Sequence, residues 1–180
     1  MVFKNRGWLP VPFLLVPLLV PSSLVARNVI IGAVLMVLGE AWRMWGVATA
    51  GTVTRRRSRT VQKLVSHGPF AWSRNPLYVG NFAIWMGIIT LSGVLWFLPL
   101  AVGIFALEYY FIVRYEEGVL ESIFSTEYLD YKEQTPRWFP RAPAASGGEF
   151  FWAEAWRSEI STFLQYAAII GLFILKDRFF

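Results

Sequence analysis

Few side chains in this sequence have the types and spacing to do chemistry, and they fall in four places. Glu40 and Arg43 stand three residues apart in an apolar run, which puts a carboxylate and a guanidinium on one helical face. An ionised group near mid-membrane costs about 2.5–3.5 kcal/mol, so such a pair either neutralises itself near an interface or lines a polar cavity between helices. Glu108, alone in a later apolar run, poses the same choice. Glu116 and Glu117 are adjacent, and on a helix they point about 100° apart, so one can face a site while the other faces water or a basic loop. An inward carboxylate there can accept hydrogen bonds from ribose hydroxyls, or pair with Arg74 or Arg114. The fourth place is Leu64 to Asn81, LVSHGPFAWSRNPLYVGN, where Gly68 and Pro69 make a turn and Pro76 holds Asn75 extended ahead of a helix.

What is missing narrows the chemistry further. The 180 residues include no cysteine, which removes disulfides, thiolate nucleophiles and iron–sulfur ligands. His67 is the single histidine, so one chain cannot assemble a multi-histidine metal site, and no metal is expected. Hydrophobic residues make up 56% and charged residues 16%, against about a quarter charged in soluble domains. With a mean hydropathy of +0.46, the composition is that of a membrane protein.

The elements that must position these groups are helices. Apolar stretches run from Trp8 to Val20, Val29 to Ala50, Leu77 to Leu91, Val94 to Val113 and Ile160 to Leu175. They predict an all-α polytopic membrane protein with about five transmembrane helices, the first, third and fifth short enough to need tilt or flanking residues. The first stretch follows Lys4 and Arg6 as a signal peptide would, but Leu24 spoils the small-x-small cleavage pattern before Ala26. It is read as an uncleaved helix punctuated by Pro10, Pro12, Pro17 and Pro21. An inside amino terminus gathers Lys4, Arg6, the run Arg55, Arg56, Arg57, Arg59 and Lys63, and Arg114, Lys132, Arg137, Arg141 and Arg157 on the cytoplasmic face. Anionic lipid headgroups, rather than nucleic acid, are the expected neighbours of the arginine run. Tyr115, Val119, Leu120, Ile123, Phe124 and Tyr128 recur at helical spacing among acids, which predicts a cytoplasmic amphipathic helix starting near Glu116 and Glu117. Pro140 to Gly148 reads as a linker to the last helix. The chain is therefore expected to be one membrane domain: a first span over 1–27, a core over 28–141, and a linker and helix over 142–180.

The stretch from Leu64 to Asn81, with RYEEGVLESIFSTEYLDYKEQTPRWFPR from Arg114 to Arg141, resembles the isoprenylcysteine carboxyl methyltransferase family and its phospholipid methyltransferase relatives. GEAWR at Gly39 to Arg43 and TAG at Thr49 to Gly51 are similar to a further element of that family. The resemblance covers roughly residues 30 to 141. It implies an integral membrane enzyme that binds S-adenosylmethionine on its cytoplasmic side and methylates a lipophilic acceptor. That acceptor would be a prenylcysteine carboxylate or a lipid amine, and the membrane a bacterial cytoplasmic membrane or a eukaryotic endomembrane. By position, Gln62, Lys63, Leu64, Val65, Phe70, Asn75, Pro76, Leu77, Tyr78 and Glu116 match the family's cofactor contacts, with Glu117 completing the paired acids. Arg74 and Gly80 complete its RxPxYxG core, and Arg43 matches its acceptor-orienting arginine. Ile112 stands where prenylcysteine members carry a second acceptor-binding arginine.

The residue chemistry accords with that role. Tyr78 and Phe70 offer ring faces to adenine or to a sulfonium, and Lys63 suits a methionyl carboxylate. Methyl transfer is an in-line displacement that relies on alignment and water exclusion, and only an amine nucleophile would need a base, for which Glu40 and Glu108 are the candidates. The alternatives are a nicotinamide-dependent membrane reductase of the sterol reductase type and a non-enzymatic scaffold or transporter-like protein.

Overall fold

A computed structural model of the chain describes residues 11–51, 63–143 and 147–179. Among the described residues all regular structure is helical. The order is α1 (Val11–Leu19), α2 (Ala26–Ala50), α3 (Pro69–Trp72), α4 (Pro76–Leu91), α5 (Leu98–Phe124), α6 (Thr126–Gln134) and α7 (Trp152–Phe179). Proline opens α3 and α4 and is second in α5, positions where a missing N–H costs nothing.

Among the described residues, three helical stretches are long and apolar enough to cross a membrane: Ala26–Ala50, Leu95–Phe124 and Trp152–Phe179. The 16 residues of α4 are apolar but span only about 24 Å at 1.5 Å each. Large apolar side chains stand exposed along these helices, among them Val34, Val37 and Leu38 on α2, Leu107 and Phe111 on α5, and Leu164 and Leu172 on α7. Such surface belongs against hydrocarbon rather than water.

Two elements depart from the sequence reading. The helix of the fourth apolar run does not stop before the paired acids, because no proline falls between Val113 and Phe124 and the one glycine there, Gly118, costs a helix only about 1 kcal/mol. α5 continues through Glu116 and Glu117 and ends at Ser125, whose φ of 46° is a left-handed conformation that propagates no helix. The expected amphipathic helix from Tyr115 to Tyr128 is thereby divided between α5 and α6. α7 begins at Trp152, ahead of its apolar run from Ile160, and so carries Glu154, Arg157 and Glu159 in helical register. The arginine run from Arg55 to Arg59 and the start of the first stretch lie outside the described residues.

The chain divides into two units. The first takes its described residues from Met1–Leu38, Phe82–Ile112 and Ser161–Phe180, the second from Gly39–Asn81 and Val113–Ile160. In the first unit Met36, Ile84, Ile88, Leu91 and Phe173 form one buried cluster, and Met86, Ile89, Val94, Phe97 and Ala101 another. α2 and α4 meet there almost backbone to backbone, since a Cβ added to Gly32 would lie 2.6 Å from the Gly87 carbonyl oxygen. Close approach of this kind is how membrane helices pack without a hydrophobic driving force. The buried Lys176 ammonium donates to the Pro17 carbonyl at 2.7 Å and to Ser22 Oγ at 2.8 Å, fixing the end of α7 to the last turn of α1 and the segment after it.

The second unit repeats the glycine contact. A Cβ on Gly80 would stand 2.7 Å from the Gly39 carbonyl oxygen and 3.0 Å from Arg43 Cβ. Its apolar clusters are Met44, Val47, Ala48 and Ala155 with Leu77 against them, and Leu64, Tyr128 and Tyr131 with Leu120 and Phe124.

Candidate functional site

The second unit holds a backbone path that residues 68 to 78 could not keep unaided. Gly68, at φ 55°, turns the chain into the single turn of α3, and Ser73 leaves it extended. A later segment then fastens the path. The Arg74 N–H donates to the Pro136 carbonyl at 2.9 Å, and the Arg141 N–H donates to the Trp72 carbonyl at 3.0 Å. Ser73 Oγ and Asn75 Nδ2 both donate to the Arg137 carbonyl at 3.1 Å. The Tyr131 hydroxyl donates to the Phe70 carbonyl at 2.7 Å. Burial pushes the Tyr131 phenol well above the usual tyrosine range, and Tyr128 beside it adds to the shift. Tyr128 is raised in the same way, first by burial and then by the Glu117 charge.

The two adjacent acids divide their work. Glu117 is 5% exposed and receives both arginines of the clamp, Arg74 Nε at 3.0 Å on Oε1 and an Arg137 terminal nitrogen at 2.7 Å on Oε2. A terminal nitrogen of Arg74 also donates to the carbonyls of Lys132 and Thr135, at 3.0 Å and 2.6 Å. Glu116, half-buried, points elsewhere and accepts the Tyr78 hydroxyl at 2.8 Å on Oε2.

A second polar group lies on α2. Arg43 donates to both oxygens of Glu40, from Nε at 3.1 Å and from a terminal nitrogen at 3.3 Å, and the same terminal nitrogen is bonded to Glu159 Oε2 of α7. Trp42, Trp45 and Trp72 pack edge to face, with ring centroids 5.5–6.4 Å apart. The indole N–H groups of Trp42 and Trp72 are buried without a partner among the described residues. Two orphan donors suit a ligand that brings acceptors, such as a carboxylate or a purine nitrogen.

The structure thus brings most of the anticipated residues into one unit: Glu40, Arg43, Lys63, Leu64, Val65, Phe70, Asn75, Pro76, Leu77, Tyr78, Glu116 and Glu117. Their surroundings differ. Lys63 is exposed, Leu64 packs on Tyr128 and Tyr131, Leu77 packs on the Met44 cluster, and the Asn75 amide donates to the clamp. Gln62 lies outside the described residues. Glu108 belongs to the first unit, where it borders an apolar hollow lined by Trp85, Met86, Ile89, Phe105 and Tyr109. Sequence reasoning missed Glu159, whose carboxylate has no exposed surface. An ionisable residue at the edge of an apolar run was the available signal.

Residues 27–127, more than half of the chain, match the family described as phospholipid methyltransferase. The chain belongs to that family. It is 34% identical to the protein-S-isoprenylcysteine O-methyltransferase of Saccharomyces cerevisiae over 111 residues, 58% of this chain and 46% of that one. Against the cobalt-zinc-cadmium resistance protein CzcN of Cupriavidus metallidurans it is 28% identical over 162 residues, 88% of this chain and 68% of the other. The Mus musculus protein-S-isoprenylcysteine O-methyltransferase is 33% identical over 117 residues, 61% of this chain and 40% of that protein. The chain therefore spans less than half of the yeast and mouse relatives. No solved structure matches it. Tyr78, Glu116 and Arg43 fall inside the phospholipid methyltransferase match, whereas Glu159 and the clamp residues 132–141 fall beyond it.

Proposed function

We propose that this chain is an S-adenosylmethionine-dependent methyltransferase of the membrane, with about five spans and a cytoplasmic cofactor site, that methylates a lipophilic acceptor. The observation that supports this most directly is the 2.8 Å bond from Tyr78 to Glu116. It joins two blocks of the family pattern that lie 38 residues apart, within one unit.

Bound, S-adenosylmethionine would supply an electrophilic methyl group on a sulfonium. The chain's part is to hold and align. Glu116 accepts ribose hydroxyls, with Tyr78 orienting its carboxylate. The backbone from Leu64 to Leu77, kept in place by Glu117, Arg74 and Arg137, contacts the nucleoside, with Phe70 as a ring face. Gln62, Lys63 or the orphan indole donors of Trp42 and Trp72 meet the methionyl end. Arg43 orients the acceptor, and Glu40 takes a proton where the nucleophile is an amine. Tight apolar packing around Leu77 and Trp72 excludes water, which favours a reaction in which charge is dispersed.

Calorimetric titration of the protein in lipid nanodiscs tests the reading. S-adenosylmethionine and its demethylated product should both bind saturably, NADPH should not, and Glu116→Gln should weaken the first two by about tenfold, the worth of one charge-assisted hydrogen bond. Absence of nucleoside binding by the parent, or an unaltered affinity in Glu116→Gln, would refute it.

A further inference from the structure

Glu108 is the described site candidate that falls in the first unit. It stands near the middle of α5, in a stretch long and apolar enough to cross a membrane, and its carboxyl group accepts no hydrogen bond and joins no ion pair among the described residues. An acid in such a stretch is costly and is kept where it meets a partner. The hollow that it borders is otherwise apolar and aromatic. Met86, Ile89 and Ala101 belong to one buried cluster and give the hollow a packed wall. Trp85, Phe105 and Tyr109 line the rest, Phe105 held by Tyr109 stacked 4.0 Å away and by the edge of Phe82 at 5.1 Å.

The space takes a group about the size of one water. A water itself needs about two to four polar partners, which a mainly apolar lining does not offer. A primary ammonium is of the same size, and it is the ion-pair partner that the acid lacks. Ile104, one turn before Glu108 on α5, and Phe111, one turn after, are both exposed, so an apolar tail carried by that ammonium can lie along the helix in hydrocarbon.

We propose that this hollow is a binding site for a single-chain primary amine taken from the bilayer, with its ammonium on Glu108 and its tail along α5. The lining sets the class. The acid repels a fatty carboxylate, and it repels an amine phospholipid, whose phosphate would follow the ammonium to within a few bonds of the carboxylate. The size of the space excludes a trimethylammonium. A neutral alcohol brings no charge to offset that of the acid. No residue of the hollow belongs to the second unit, so the proposal does not depend on the cofactor reading.

The test is saturable binding of radiolabelled dodecylamine to the full chain in phosphatidylcholine nanodiscs, with empty nanodiscs as reference. Unlabelled dodecylamine should displace the probe, whereas dodecanol, dodecyltrimethylammonium and dodecanoate should each require a concentration at least about tenfold higher. Phosphatidylethanolamine mixed into the bilayer should not compete. Glu108→Gln, which keeps the shape and removes the charge, should weaken dodecylamine binding by about tenfold or more. Absence of a saturable component in the parent, displacement by dodecanol or dodecyltrimethylammonium as readily as by dodecylamine, or competition by phosphatidylethanolamine overturns the proposal without any variant having to fold. So does an unchanged affinity in Glu108→Gln. Failure of the chain to bind S-adenosylmethionine would count against the cofactor assignment and leave these outcomes as they are.

Discussion

Removing the Glu117 carboxylate should loosen the whole path from Gly68 to Tyr78. Glu117→Ala leaves two guanidinium groups without their shared partner. The Arg74 and Glu117 side chains are only 9% and 7% exposed, so this pair is buried and its rupture falls in the range of about 3–5 kcal/mol. The Arg137 side chain is 37% exposed and finds water when released, so its share is below about 1 kcal/mol. Arg74 also keeps the carbonyls of Lys132 and Thr135, which places the total near the lower bound, about 3 kcal/mol. For a chain of this size that corresponds to a fall of about 6–12 °C in the thermal midpoint, measurable by intrinsic tryptophan fluorescence in detergent. S-adenosylmethionine affinity should fall with it, because Trp72 to Asn75 lose their anchor. The pairing itself is isolated by a double-mutant cycle with Arg74→Met, where the second substitution should cost much less than it does alone. A midpoint within about 2 °C of the parent, or strictly additive single effects, would show that the clamp does not depend on this carboxylate.

Other perturbations address separate contacts. Gly80→Ala would set a methyl 2.7 Å from the Gly39 carbonyl oxygen and against Arg43, where backbone cannot yield, and should cost about 1–3 kcal/mol. Gly103→Ala, with open space around it, should be neutral or stabilising by up to about 1 kcal/mol; chemical denaturation compares the two. Tyr78→Phe should weaken S-adenosylmethionine binding several-fold through misorientation of Glu116, with little change in the thermal midpoint. Alkaline pH should unfold the second unit. The Tyr128 and Tyr131 phenols titrate above their ordinary value in the folded chain, so the stability they lend is complete below about pH 10 and is lost as the pH rises beyond it. A tyrosinate absorbance titration should show two late-ionising phenols that join the others once the chain is denatured.

The helices were legible in the sequence because apolar runs with few charges leave little else for the backbone to do. Each of the five apolar stretches is helical over most of its described length. The ends were less legible. Acids and arginines are good helix formers, so the change from apolar to polar at Val113 and at Ile160 marks a change of surroundings rather than a helix boundary. The site was readable where its chemistry is local. Adjacent Glu116 and Glu117 were bound to face different ways, and of the partners weighed for an inward carboxylate Arg74 is found on Glu117, whereas the Arg137 bond to Glu117 and the Tyr78 bond to Glu116 were not anticipated. Arg43 and Glu159 were not connected, because 116 residues separate them and no spacing rule reaches so far.

The clamp has a bearing on where this protein can be cut. Apart from the Glu117 carboxylate, the groups described as fastening Trp72 through Asn75 from outside, the carbonyls of Lys132, Thr135, Pro136 and Arg137 and the N–H of Arg141, come from beyond residue 127, where the family match ends. A fragment trimmed to that boundary would keep Tyr78, Glu116 and Glu117 while stripping away the carbonyls of Lys132 and Thr135 that accept from Arg74. The family match thus stops short of the segment that fastens this path, and expression designs or chimeras that exchange the core should carry the tail through Arg141 with it.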